Sequence, residues 1–126
     1  MKYLCLAYEE EAKLDSLSRR EWEALRRETL DYVNALAEKG QLIVAEPLQS
    51  ARTGVTLRVR DGKLATTDGP FAETKEQLGG IFLINAEDLS EATRIAAGWP
   101  SARIGTIEVR PIEQELREEG RYAPVA

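Results

Sequence analysis

Histidine is absent from this 126-residue sequence, and cysteine occurs once, at Cys5. Without histidine, the chain cannot build a Ser-His-Asp or Cys-His nucleophile, a histidine-bound haem or a His-based zinc site. A single cysteine excludes an internal disulfide, which is typical of a protein in a reducing cytosol. Catalysis at neutral pH would therefore depend on carboxylates, tyrosines, lysines, backbone dipoles or a borrowed cofactor, and no cofactor is predicted.

Positive charge and long apolar runs are also scarce. The 17 Lys and Arg residues are outnumbered by 22 Asp and Glu residues, which gives a net charge of −5. This excess of negative charge argues against binding to nucleic acid or to an anionic membrane surface. No apolar run approaches the ~20 residues of a membrane helix, and the N-terminus lacks the pattern of a signal peptide. We therefore expect a cytoplasmic protein.

Two amphipathic helices are predicted from the residues at their ends. Ser18 and Glu21 have the spacing of a capping box, and Gly40 ends the first helix. Asp88 caps the second helix, which ends near Gly98. The first helix has one apolar stripe that we expect to face the core, made of Trp22, Leu25, Thr29, Tyr32 or Val33, and Leu36.

Strand patterns surround these helices, at 2–8, 41–47, 55–60, 63–67, 81–84 and 104–112. The Asp61-Gly62 turn predicts a hairpin, whose first strand alternates Val55, Leu57 and Val59 with polar residues and so reads as half-buried. The apolar run 81–84 predicts a central strand covered on both faces. Residues 9–11, three glutamates, are predicted to form an acidic loop.

The order of elements is βαβ, hairpin, βαβ. This order predicts an α+β fold, the ferredoxin-like split βαβ with an inserted hairpin strand, over residues 1–112, followed by a charged tail over 113–126. Two helices cover only one face of such a sheet. We expect a second copy to cover the other face, which makes the protein a homodimer.

The segment from Thr67 to Glu76, Thr-Asp-Gly-Pro-Phe-Ala-Glu-Thr-Lys-Glu, resembles the signature of the DGPF-domain branch of the YCII-related family. The opening Met-Lys-Tyr-Leu and the late Val-Arg-Pro-Ile also match, so the resemblance covers residues 1 to about 112. It implies a dimeric α/β barrel and suggests enzymatic activity through a histidine–aspartate pair. Asp68 matches the aspartate, whereas nothing matches the histidine.

Candidate functional residues concentrate around this motif. Asp68 on its rigid turn and Glu73 are the predicted catalytic residues, because a fixed carboxylate can act as a base. Together with Glu76 they could also form a carboxylate cluster for Mg²⁺ or Ca²⁺, although no known metal-loop spacing is matched and no metal site is predicted. The predicted substrate-binding residues are Tyr3, Tyr8, Glu46, Phe71 and Lys75.

Each of these residues also has an ordinary structural explanation. Asp68 suits the first position of a turn, Phe71 can fill a hydrophobic gap, and Gly79-Gly80 fits close backbone packing better than dinucleotide binding. We expect a small-molecule-binding or enzyme-like protein with a carboxylate-lined pocket at residues 68–76. The alternative is a non-catalytic regulatory protein that meets a protein partner, since the resemblance implies an association with alternative sigma factors.

Overall fold

The computed structural model describes residues 1–113, and a four-stranded antiparallel sheet is its centre. The strands of this sheet, in the spatial order β2-β5-β1-β6, are β1 (Lys2–Glu9), β2 (Leu42–Pro47), β5 (Gln77–Asn85) and β6 (Thr106–Pro111). A separate hairpin consists of β3 (Val55–Arg60) and β4 (Lys63–Asp68). The helices are α1 (Glu11–Asp15), α2 (Arg19–Glu38) and α3 (Leu89–Ala97). This topology confirms the predicted ferredoxin-like α+β fold.

The predicted end signals of the long helices act as expected. The Ser18 hydroxyl accepts a hydrogen bond from the Glu21 backbone at 3.1 Å, and the Glu21 carboxylate accepts one from the Ser18 backbone at 3.0 Å. Gly40 follows α2 with φ +71°, a conformation that favours glycine. Asp88 accepts from the backbone N–H of Glu91 at 2.8 Å and so caps α3.

The hydrophobic core lies between one face of the sheet and the two long helices. Phe82 stacks on Trp99 with ring centroids 3.8 Å apart and nearly parallel planes, and the Tyr32 hydroxyl donates to the Ile95 carbonyl at 2.6 Å. Burial raises the pKa of the Cys5 thiol to about 12, which makes Cys5 a packing residue, as its apolar strand predicts. The core members are Tyr3, Cys5, Leu36, Phe82, Ile84, Ala86, Ala92, Ile95, Ala96 and Trp99.

The hairpin differs from its prediction. Its strands pair as expected, and both turn residues, Asp61 and Gly62, have positive φ. The prediction that β3 is half-buried is wrong for the described chain, because the apolar face of the hairpin is largely exposed. Its four large aliphatic side chains, which are 55–65% exposed, are Val55, Leu57, Val59 and Leu64.

Two other local predictions need correction. The acidic segment 9–11 is not a loop: Glu9 ends β1 and Glu11 begins α1, a short helix that the sequence pattern did not reveal. Strand β5 is not covered on both faces in the single chain, because Phe82 and Ile84 are buried whereas Ile81 and Leu83 stay half-buried. The predicted tail lies, apart from residue 113, outside the described residues.

Candidate functional site

A cavity of about 720 Å³ lies between the sheet and residues 22–33 of α2. It exists because small residues stand on the sheet below the helix, namely Ala7 in β1, Ala45 in β2, and Gly79 and Gly80 in β5. Side chains of this size cannot fill the space that larger residues fill elsewhere in the core. The volume is in the range of small-molecule sites.

The cavity wall is mainly apolar and aromatic. Helix α2 contributes Trp22, Leu25, Leu30 and Val33 to this wall, and α1 contributes Leu14. The stacked rings of Phe82 and Trp99 also line the cavity, where it borders the core. Trp22 and Leu30 are 49% and 46% exposed, so the prediction that Trp22 belongs to the core was wrong. The part of the predicted apolar stripe from Trp22 to Val33 lines the cavity instead.

Of the four carboxylates among residues 1–113 that line this cavity, Glu9, Glu11, Asp15 and Glu46, Glu9 is the candidate for chemistry on a ligand. Its side chain is half-buried and lies across Gly79 of β5. Burial in the first place, and the negative charge of Glu11 in the second, raise the pKa of Glu9 above the ordinary value of a glutamate. A carboxyl group with a raised pKa in a largely apolar cavity is a candidate for proton exchange with a ligand.

Glu11, which is close to Glu9, has a structural role. Its carboxylate accepts hydrogen bonds from the Ser50 hydroxyl at 3.1 Å and from the Ala51 backbone N–H at 2.8 Å. These bonds join the start of α1 to the short 3₁₀ turn Ala51–Thr53. Glu11 therefore fixes one wall of the cavity and at the same time places a negative charge near Glu9.

Two arginines supply positive charge at the rim. Arg26 of α2 and Arg52 of the 3₁₀ turn both line the cavity, and both are exposed. Among residues 1–113, no carboxylate forms an ion pair with either side chain. They can therefore bind acceptor oxygens or a negative charge on a ligand that projects towards the opening.

The residues predicted from the sequence lie mostly elsewhere. Asp68 ends β4, and Phe71, Glu73 and Lys75 follow it in an exposed loop outside the cavity. Phe71 is 78% exposed, and the Arg58 guanidinium lies 5.2 Å from the centre of its ring. In the single chain, none of these four side chains lines the cavity.

The remaining predicted residues are scattered. Tyr3 is 2% exposed within the closed core, whereas the Tyr8 hydroxyl donates to the Glu108 carboxylate at 3.3 Å. Glu46 borders the cavity. The three-carboxylate cluster does not form in the part of the chain that is described, since no group of metal-ligating side chains is found there and Glu76 accepts from the Thr106 hydroxyl at 2.8 Å.

Sequence reasoning missed Glu9, although a signal was present. Tyr3, Cys5 and Ala7 alternate towards the core, and continuing this alternation by two residues reaches Glu9. An acidic residue on the core-facing side of a strand is unusual and indicates either a partner or a cavity. Reading residues 9–11 as a loop concealed this position.

The fold and the cavity define an α+β ferredoxin-like protein with a pocket between helix and sheet. The family model for the YCII-related domain matches residues 1–116, and the chain belongs to this family, as the motif resemblance predicted. Assignment to the DGPF branch rests on residues 67–76 and stays a prediction. The chain is 36% identical over 114 residues to an uncharacterized protein of Rhizobium meliloti (strain 1021), covering 89% of this chain and 92% of that protein.

A solved structure supports the fold. The chain is similar to the 5-chloro-2-hydroxyhydroquinone dehydrochlorinase of Burkholderia phenoliruptrix AC1100, in complex with 2,5-dihydroxybenzoquinone, with a TM-score of 0.57 and 17% identity. The match covers 91% of this chain and 96% of the other. Within residues 1–113, none of the helices combines the length and the hydropathy that a bilayer crossing requires.

Proposed function

We propose that this protein binds a small planar molecule with oxygen substituents in the cavity below α2, and that Glu9 transfers a proton to or from it. The observation that carries the proposal is the combination of an apolar, aromatic cavity of about 720 Å³ with one half-buried carboxyl group whose pKa is raised. An apolar pocket with a few polar groups and a perturbed pKa is the usual composition of an active site.

The chemistry of the wall supports this class of ligand. Three aromatic residues, Trp22, Phe82 and Trp99, line the cavity, and aromatic side chains pack favourably on a planar ring. Protonated Glu9 can donate a hydrogen bond to a ligand oxygen at the sheet, and Arg26 and Arg52 can bind oxygen acceptors at the opening. The similar Burkholderia enzyme binds a planar dihydroxyquinone, which makes this compound a reasonable first probe.

Calorimetric titration of 2,5-dihydroxybenzoquinone into the protein tests the proposal. We expect saturable binding that Glu9→Gln weakens about tenfold or more, because a neutral amide cannot exchange the proton and offers a weaker hydrogen bond. Glu38→Gln is the matched control, since Glu38 is exposed near the end of α2, outside the cavity. Equal binding by wild type and Glu9→Gln would remove Glu9 from the proposal.

Asp68 and Glu73 remain the catalytic residues that the sequence predicts, and the same titration compares them with Glu9. Both are exposed in the single chain, so an enclosed site at their loop would require a second copy. If Asp68→Asn and Glu73→Gln leave the affinity unchanged while Glu9→Gln lowers it, the site is the cavity. The reverse result would assign the site to the loop.

The proposal includes a homodimer. On the sheet face away from the long helices, apolar residues of neighbouring strands stand opposite one another, such as Leu4 and Leu83, or Leu6 and Ile81. The hairpin adds a second uncovered apolar face. Pairing of two copies would bury both. Light scattering should give the dimer mass, and Leu6→Arg or Leu57→Arg should give the monomer; a monomeric wild type would contradict this.

The non-catalytic alternative has less support. Neither the family description nor the two similar proteins names a sigma-factor partner. A protein partner that binds equally well to wild type and to Glu9→Gln, with no small molecule bound by either, would favour it.

A further inference from the structure

A glycine in strand β5 lies directly beneath the side chain of Glu9. A Cβ atom on Gly79 would lie 2.7 Å from Cγ of Glu9, and closer still to the carboxylate carbon and one oxygen. Real Cβ contacts are essentially never this short, so the space that a side chain would occupy at position 79 is occupied by Glu9. The adjacent Gly80 differs, because its Cβ would meet only backbone atoms of Glu46 and Pro47.

The backbone itself does not require glycine at this position. Positive φ values occur at Gly40, Gly62 and Gly69, but not at Gly79. The absence of a side chain at position 79 therefore has a steric reason. Leu48, which directly follows β2, donates its backbone N–H to the Gly79 carbonyl at 2.8 Å, and this bond holds the start of β5 against the end of β2.

The strand pairing explains how the two residues meet. Ala7 pairs with Gly80 and Tyr8 with Leu78, so Gly79 is the extra residue of a β-bulge between β1 and β5. Bulges bend a strand locally and change the direction of nearby side chains, and they are frequent beside active sites. Here the bulge places a residue without a side chain below the last residue of β1.

We propose that Gly79 is a positioning residue, which keeps the Glu9 carboxyl group inside the cavity by leaving its space free. This inference rests on the proposed role of Glu9, and it explains the glycine at position 79 near the start of the central strand. Any larger residue at position 79 would push the carboxyl group out of the cavity and towards solvent. Gly79 touches no reacting atom in this scheme and acts only through Glu9.

A double-mutant cycle tests the proposal with Gly79→Ala, Glu9→Asp and the double variant. The atoms nearest to the added methyl group belong to a flexible side chain, so Gly79→Ala should fold with little change in Tm. The NMR titration midpoint of the residue 9 carboxyl should fall towards the ordinary value of a glutamate, because the group becomes more hydrated. Aspartate has no atom at the position of the glutamate carboxylate oxygen, which lies closest to the new Cβ, so the overlap is smaller and Gly79→Ala should move its midpoint less.

Binding of 2,5-dihydroxybenzoquinone gives a second measurement. Gly79→Ala should weaken it about tenfold when residue 9 is glutamate and less when it is aspartate. Gly54→Ala is the control, since its Cβ would be 3.4 Å from the nearest atom, outside the cavity. An unchanged midpoint in Gly79→Ala, or equal shifts in both backgrounds, would overturn the proposal. If the midpoints shift as expected but the probe binds to no variant, the proposed function fails for this ligand and the positioning role stands.

Discussion

Two parts of α2 cover the same sheet in different ways. The part around Leu36, the closed half, packs into the core, whereas residues 22–33, the open half, cover a cavity. Near the C-terminal end, Leu36 is 3% exposed and belongs to one cluster with Phe82 and Ile84, which are 1% and 0% exposed. Trp22 near the N-terminal end and Leu30 just past the middle of the helix remain about half exposed, although they are also large and apolar.

The difference lies in the sheet and not in the helix. Tyr3, Phe82 and Ile84 fill the space below the closed half, whereas Ala7 and Ala45 stand below the open half. The free energy of burying an apolar side chain depends on how completely its surroundings enclose it. An amphipathic stripe therefore shows which side of a helix faces inward, but the opposite layer decides whether that side is packed.

The largest expected effect comes from opening the closed half. Ile84→Ala should lower the free energy of unfolding by about 2–5 kcal/mol, because it removes a fully buried side chain and leaves a void. Urea denaturation followed by circular dichroism measures the loss. Ile84→Val, which removes one methyl group, should cost about 0.5–1.5 kcal/mol. Equal small losses in both variants would show that this half is not tightly packed.

Filling the open half should have a smaller effect on stability and a large one on binding. Ala45→Leu adds three carbons where the cavity has room, so the free energy of unfolding should change by less than about 1 kcal/mol. The same side chain should abolish binding of the planar probe. A loss of about 1–3 kcal/mol, as in an overpacked core, would mean that the cavity is closed in solution.

Glu9→Gln should change stability in a pH-dependent way. A raised carboxyl pKa means that the folded protein favours the protonated form, so this contribution is full at low pH and is lost as pH rises through the folded-state pKa. The variant should therefore have a higher Tm than wild type at pH 7–8, and the difference should vanish on acidification.

Glu21→Gln is the control of opposite sign for this experiment. Hydrogen bonds from the Ser18 backbone and side chain lower the pKa of Glu21, so the variant should be less stable than wild type at neutral pH, and this difference should shrink as pH falls. If both variants responded to pH in the same direction, the environment of Glu9 would differ from that described above.

The smallest expected effect concerns the exposed ion pair beside the middle of α2. Arg103 donates two hydrogen bonds to the Glu28 carboxylate, at 2.8 and 2.7 Å, and these bonds lower the pKa of Glu28. Glu28→Gln should lower Tm by about 1–2 °C at most, since exposed pairs contribute little. The loss should fall further in 1 M NaCl, and a loss that does not depend on salt would point to packing instead.

Local signals in the sequence predicted much of the fold. The capping box of Ser18 and Glu21, the cap at Asp88, and the Asp61-Gly62 turn act through neighbouring backbone groups, so their spacing is sufficient to predict them. The alternation of Tyr3 and Cys5 with their neighbours likewise separated the two faces of β1, and the structure shows that the face with Tyr3 and Cys5 is the buried one. The exposure of the hairpin could not be predicted in this way, because its alternation fits any apolar surface, on this chain or on another.

The site was the least predictable part. The prominent motif at 67–76 attracted the catalytic prediction, while Glu9 and Gly79 are 70 residues apart and have no common local pattern. Their proximity follows from the pairing of β1 with β5 and from the bulge within it.

By itself, the sequence determined the ends of the two long helices, the tight turn, the alternation of side chains along β1 and the exclusion of histidine chemistry. All of these depend on residue type or on contacts between near neighbours in the chain. Only the tertiary structure decided that half of the apolar stripe would face a cavity and that a glutamate would lie over a glycine in it. Cavities and pKa shifts result from side-chain volumes and charges that distant segments bring together, and no spacing within one segment encodes them.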